Sequence, residues 1–547
     1  MRHTVASQNF AFENLKKVIE SLADGDEIVL TPGEYHLYED ETFHAFYYES
    51  NCDAGEKHIA FYLKNKKNIT IDGQGANLIC HGRVSPFLLD GCENVTIKNL
   101  SVDYNVAFYM EWQVIKSARG EMEVRVFPAN SYRMQGGGMV HLVDGIEIPF
   151  GGKSVVTLQA FDGEKKRVLE NSQLRFLHFC TEKRDTYAEN EVFCEEIGDH
   201  LLRVSGEKLD EFVPGSRLYL SAEGRHSNTV FALSTKNLTV EDFVIYYTPS
   251  MGINCQLCEN VTLNRVSVRL NERHGIVTAN ADATHFIACT GRVLIEDCLF
   301  ENMMDDGANV HGIFTDVTEV CGNRAVVKLV HGQQKGVNSY LVGDEIAFTR
   351  GKTLERIATC RVLTSVLLDE EHIELTLSGD MTEVRPSDKA EDLTRQPEFI
   401  MRGCTVRNNR PRGVLVATGK KAVVENCTFN TSSSCVEISA DSAYWYESGG
   451  VSDLVIRNNY FQDFCYQYGG AAVGVVPRYE FDKNHPVYYC SNIRILDNRL
   501  GRSDLYVLYA LRSEKMTLQG NVFVSSGKET PAETYFAEDC REIVVER

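Results

Sequence analysis

The sequence predicts an all-β fold: a right-handed parallel β-helix with two inserted small β-barrel-like modules and an N-terminal capping helix. Three observations predict it. The first is a phrase that returns, "EDCLF" at Cys298, "RGCTV" at Cys404 and "ENCTF" at Cys427. The apolar residues two places on, Phe300, Val406 and Phe429, have counterparts in Ile245, Val268, Leu500 and Phe523. Ile245 and Val268, Val406 and Phe429, and Leu500 and Phe523 are each 23 residues apart, a period that suits one short coil per repeat. The second is texture. Val, Ile and Leu alternate with polar residues up to an Asn, Cys or Gly corner, and a second apolar group follows, such as "GIVT", "GVLV" or "VEIS". Such runs read as short strands, and no crossover helix fits between them, so the strands stack as parallel rungs about 4.8 Å apart. The third is that the period breaks twice, between Asn105 and about Asn228 and between Phe314 and Pro397. There "EMEVRVF", "VPGSRLYL", "AVVKLV" and "LVGDEIAFT" read as antiparallel barrel strands.

In chain order, residues 1–105 are expected to hold the cap and first coils, 106–228 the first inserted module, 229–313 the central coils, 314–397 the second module and 398–547 the C-terminal coils. Apolar residues at helical spacing from Phe10 to Leu22 predict a helix over the open end of the coil, followed by a strand at Glu27 to Leu30. "NITIDGQGANLICHG" at Asn68 and "NVTIKNLSVDYN" at Asn94 are the next coils. Cys298, Cys404 and Cys427 are expected as a buried column of stacked thiols, with Asn459, Asn498 and Asn521 continuing it as an amide ladder.

Composition excludes several classes. The 77 acidic residues outnumber the 56 basic ones for a net charge of -21, and no basic run offers a track for phosphates, so nucleic acid is not an expected partner. No apolar stretch approaches the roughly 18 residues of a membrane span, and Met1 to Phe10 lacks the apolar core of a signal peptide. Seventeen cysteines are an odd number, and their spacing fits neither a zinc site nor a small disulfide scaffold.

The chemistry points to "ENMMDDGANVHG", where Asp305 and Asp306 stand side by side before Gly307. Aligning the rungs sets Arg273 and His274, Asp305 and Asp306, and Pro411 and Arg412 at one level, each pair before a glycine. Asp282 lies in the loop "TANADATHF", one rung earlier. Adjacent strand residues point oppositely, so both aspartates reach a cleft only if the chain kinks, which the glycine is expected to permit. A crowded trio of carboxylates suits glycoside hydrolysis: one protonated acid for the leaving oxygen, and one or two carboxylates to activate water. A plain turn and a calcium site stay open beside this reading.

"NADATHF", "MMDDGANVHG", the coil phrases and "GDEIVLTPGEYHLY" resemble glycoside hydrolase family 110, the α-1,3-galactosidases, over essentially the whole chain. The carboxylates are also similar in arrangement to those of polygalacturonases, with a later "HG" at His311 and Gly312. The resemblance implies removal of terminal α-1,3-linked galactose, blood group B-like or linear, with inversion and with no metal or cofactor. By that analogy Asp305 is the general acid, and Asp282 and Asp306 hold the water. Trp445 and Glu447 in "SADSAYWYESGG" suit the sugar's C–H face and hydroxyls, and Arg410 and Arg412 bind hydroxyls or neutralise the aspartates. His274, His285 and His311 fit supporting places around the site, His274 and His311 being counted with the binding residues, and Glu437 sits on a strand of unfixed direction. The glycan substrate implies a periplasmic or secreted bacterial enzyme whose signal lies outside this chain, and monomer and homodimer both stay open. The alternatives are a β-helix polysaccharide lyase with calcium on the aspartates, a polygalacturonase-like hydrolase, and a non-catalytic carbohydrate-binding β-helix.

Overall fold

The computed structural model describes residues 1–467, 469–525 and 527–546. Its spine is a parallel β-helix. The marker residues pair rung to rung without slippage: Ile245 with Val268, then Phe300, Val406, Phe429, Phe461, Leu500 and Phe523. All eight are buried in one continuous apolar core, so the 23-residue period is the spacing at which one side chain returns to the same place in that core.

Each coil turns at corners that need a left-handed residue. At one, Asn68, Asn94, Asn237 and Asn260 have φ of 57°, 56°, 54° and 57°, a region asparagine tolerates better than most residues. Their amides form an outer ladder, Asn94 donating to Asn68 at 2.8 Å, Asn237 to Asn94 at 2.8 Å and Asn260 to Asn237 at 3.0 Å. At another corner Asp297, Gly403, Asn426, Asn458, Asp497 and Gly520 are left-handed, and the residue after each turns inward. Those residues are Cys298, Cys404, Cys427, Asn459, Asn498 and Asn521, all buried. The column is the expected one. Asn459 Oδ1 accepts from the Cys427 amide at 2.9 Å, and Asn498 and Asn521 repeat the contact one rung on at 2.9 and 3.0 Å, so the polar half of the column satisfies itself.

The helix Phe12–Ser21 lays Phe12, Leu15 and Ile19 on the end of the core, and Glu27–Leu30 follows as a strand. The first insertion closes into a seven-stranded barrel running from Met110–Ala118 to Arg217–Ser221, with a three-stranded sheet over Ser131–Phe150. In the second, the strand Ala308–Cys321 begins as a rung, pairing Ala308 with Val414, and runs on into a ring. The ring proceeds through Arg324–Lys328, His372–Ser378, Arg356–Leu367, Glu345–Thr349 and Lys389–Asp392, which pairs back with Phe314. It has its own apolar centre around Val327, Phe348 and Leu375. Among the described residues no helix is long and apolar enough to cross a membrane.

Candidate active site

Thr284 pairs with Ala308 and Ala308 with Val414, so the residues two places upstream, Asp282, Asp306 and Arg412, stack on consecutive rungs. The expected alignment of Arg273 and His274 with this level does not hold. Val268 to Thr284 spans 16 residues where Phe300 to Ala308 and Val406 to Val414 span 8, and the surplus is a loop that leaves the stack. The Asn271 side chain accepts from the amides of Arg273 and His274, folding the loop toward the first insertion. His274 Nε2 lies 2.6 Å from Asp103 Oδ1, with its ring beside Tyr247, and Arg273 stands 3.9 Å from the same aspartate. His274 therefore has no place in the candidate site, and Asp282 stands where it was expected.

Asp305 and Asp306 lie in a bend and both face one cleft. Gly307 serves this differently from expectation, because its φ is not left-handed. A Cβ there would come 2.6 Å from the Gly413 carbonyl oxygen and 2.6 Å from Val406 Cγ1, so glycine is required for the next rung to approach. The cleft is a pocket of about 210 Å³, smaller than the roughly 300–1,000 Å³ of sites for drug-sized ligands. Asp282, Asp305, Asp306, Arg410, Arg412, Trp445 and Glu447 all line it. His311 lies behind the wall, fully buried.

The nearest oxygens of the three aspartates lie within 4.8 Å of one another. Asp305 Oδ2 accepts from Arg225 Nη2 at 2.8 Å. Asp306 Oδ1 accepts from Arg412 Nε at 2.8 Å, and Arg412 Nη1 reaches Glu437 Oε1 at 3.2 Å, which fixes the side of the strand on which Glu437 lies. Among the described residues Asp282 makes no direct contact with an arginine; its Oδ2 lies 2.5 Å from His285 Nδ1. The loop with Trp445 and Glu447 does not stay two coils beyond the pair. It folds back, and Glu447 pairs with Ile313 on the strand that follows the aspartates. Asn51 Nδ2 donates to Glu447 Oε1 at 3.0 Å, the Arg225 guanidinium lies 5.8 Å from the Trp445 ring centroid, and His331 packs on that ring at 4.7 Å.

A sequence model described as "GLAA-B beta-barrel domain II" matches residues 324–388, within the second ring, and one described as "Right handed beta helix region" matches 392–534. An "Alpha-1,3-galactosidase A" of Shewanella woodyi is 28% identical over 519 residues, covering 94% of this chain and 83% of the relative. An "Alpha-1,3-galactosidase B" of Bacteroides thetaiotaomicron is 28% identical over 541 residues, covering 95% and 85%. The chain is similar to these α-1,3-galactosidases over nearly its whole length. Among solved structures a family 28 exopolygalacturonase of Yersinia enterocolitica overlaps 99% of this chain and 78% of its own, at 8% identity and a TM-score of 0.41, too loosely to argue from.

Burial governs the electrostatics of the site. It pushes the Asp282 carboxyl well above the ordinary range, and the charge of Asp305 adds to the rise. Burial lifts Asp306 likewise, outweighing the pull of Arg412. The His285 ring is held well below its ordinary value, by burial first and by His311 second. The aspartates offer three oxygens to a hard cation, and His285, His311 and Glu447 form a second donor set. Arg225 and Arg412 already supply positive charge at the aspartates, which weakens the case for a cation there. Sequence reasoning missed Arg225 and Asn51, along with Asn309, Ser439, Asp441 and Arg478 on the walls. Arg225 follows the last strand of the first insertion and Asn51 sits in a strap with φ of 60°. Neither position repeats, so the periodic pattern carried no signal for them.

Proposed function

We propose that the chain is an exo-acting glycoside hydrolase that removes terminal α-1,3-linked galactose, from branched blood group B-like or linear glycans, with inversion of configuration. The names of the similar proteins support the galactosidase activity. The observation that carries the chemistry is that three aspartates are graded by depth in a pocket of about 210 Å³, a size that suits one sugar ring. Side-chain exposure is 18% for Asp305, 3% for Asp282 and 1% for Asp306. The leaving oxygen joins the sugar to the rest of the glycan and so lies toward the mouth, where Asp305 serves as acid. The attacking water lies deep, between Asp282 and Asp306.

The nearest carboxylate oxygens of the three aspartates lie within 4.8 Å of one another. Inversion therefore rests on the shared water: two carboxylate oxygens that far apart each reach one water at hydrogen-bond distance. Asp305 Oδ2 is held by Arg225 Nη2 at 2.8 Å, so the acid role requires that pair to loosen when the glycan binds. Trp445 offers its face to the C–H side of galactose, and Glu447 and Arg410 its hydroxyl partners. A glycan substrate of this kind places the enzyme in the periplasm or outside the cell. The test is a screen of branched and linear α-1,3-galactosides with α-1,4 and α-1,6 isomers as controls. Release of galactose from the α-1,3 compounds alone is expected; equal rates on all linkages, or none, would remove the reading.

A further inference from the structure

We infer that Asp282, His285, His311 and the carbonyl of Gly312 form one proton-holding chain, which keeps the deep side of the pocket neutral and leaves Asp306 to take the proton of the attacking water. The inference deepens the hydrolase reading and rests on it for the role of Asp306.

His311 Nδ1 lies 2.6 Å from the Gly312 carbonyl oxygen. That oxygen only accepts, so Nδ1 carries a hydrogen. His311 Nε2 and His285 Nε2 are 2.8 Å apart, and one of them must supply a proton. His285 Nδ1 and Asp282 Oδ2 are 2.5 Å apart, and a proton lies between them too. Three contacts need three protons, while two neutral imidazoles bring two. The third is a carboxyl hydrogen on Asp282 or makes one ring an imidazolium. In either form the chain as a whole has no net charge.

Burial chooses between the forms. The side chains of Asp282, His285 and His311 are 3%, 2% and 0% exposed, and a carboxylic acid beside two neutral rings puts no separated charge in that wall. The low proton affinity of the His285 ring, caused first by its burial, agrees. The order is then Asp282 Oδ2–H to His285 Nδ1, His285 Nε2–H to His311 Nε2, and His311 Nδ1–H to Gly312 O. The charged groups facing the chain are Arg225 from the segment after the first barrel, Asp305, Asp306 and Arg412 from the turns, and Glu447, 3.6 Å from His311 Nε2, on the returning strand. Asn254 and Asn309 flank His285 on the neighbouring rungs and are neutral.

Burial is the first cause that raises the Asp306 carboxyl; with Asp282 uncharged, Asp305 and Asp306 face Arg225 and Arg412 one for one, and the repulsion that adds to that rise falls. Asp306 Oδ2 is buried and without a hydrogen-bond partner among the described residues. It is the acceptor left for one hydrogen of the water, while the free oxygen of Asp282 orients the other. His285 and His311 are positioning residues that act through Asp282.

Neutron diffraction from the deuterated full chain reads the chain directly. A deuteron in each of the three contacts is expected, and one empty contact overturns the inference whatever the activity. Three deuterons in a protein inert on every α-galactoside would support the chain and sink the hydrolase reading instead. The pH profile of kcat/KM gives a second readout. In His311→Phe the acceptor beyond His285 is gone, the third proton is no longer needed, and the alkaline limb should move down by about one pH unit. His311→Gln keeps an acceptor for His285 Nε2–H and should restore the limb. Profiles for both variants that superpose on the parent would overturn the proposal.

Discussion

Asp305 and Arg225 stand 80 residues apart in the chain and meet at 2.8 Å across the mouth of the pocket. The first lies in a turn of the spine, and the second in the segment that leaves the first barrel. The contact ties the most exposed of the three aspartates to a residue outside the repeating coils.

Replacing Asp305 with Asn should lower kcat roughly 10²- to 10⁴-fold on an α-1,3-galactoside with a poor leaving group, because the departing oxygen loses its proton donor. Circular dichroism should be unchanged. Near-normal turnover would take Asp305 out of the mechanism.

The Asp282 carboxyl titrates well above its unfolded value. The native state therefore binds the extra proton, and the stability this group confers is complete below the unfolded value of about 3.9 and declines as pH rises through the folded one. Asp282→Asn removes that titration and still donates to His285. Its melting temperature relative to the parent should climb as pH rises from 4 to 8. A difference that is flat with pH would show that Asp282 is not strained by burial.

The cysteine column should respond as packing. Cys404→Ser should cost about 1–3 kcal/mol by placing a hydroxyl among apolar neighbours, with kcat nearly unchanged. In the native protein only Cys321, which is exposed, and the half-buried Cys540 should react quickly with a thiol reagent. Fast titration of most of the cysteines would contradict the column.

Proton NMR recorded before mutarotation should show β-galactose as the first product of an α-galactoside. The α anomer appearing first would favour a covalent intermediate on one of the aspartates, for which a carboxyl spacing of about 5–5.5 Å is the usual setting. It would end the shared-water scheme.

Exhaustive treatment with EDTA should leave turnover intact, since Arg225 and Arg412 already pair with Asp305 and Asp306. Activity lost on chelation and regained with calcium would turn Asp282, Asp305 and Asp306 into a metal site.

The sequence by itself determined the coil. Its period, its left-handed corners and its inward column of Cys298, Cys404, Cys427, Asn459, Asn498 and Asn521 are local properties that each repeat states again. The stacking of Asp306 on the level of Arg412 followed from the same count, because their coils have turns of equal length. His274 was misplaced where the turn lengthens to a loop, since a count of residues holds register only while the turns keep their length. Tertiary structure decided the rest. Arg225, Asn51 and Glu447 join the pocket of the aspartates from a barrel exit, a strap and a loop that folds back onto an earlier strand. Those approaches are set by long-range closure and packing, which leave no periodic trace along the chain, so the carboxylates and Arg412 were legible in the sequence while Arg225, Asn51 and the fold-back of the Glu447 loop were not.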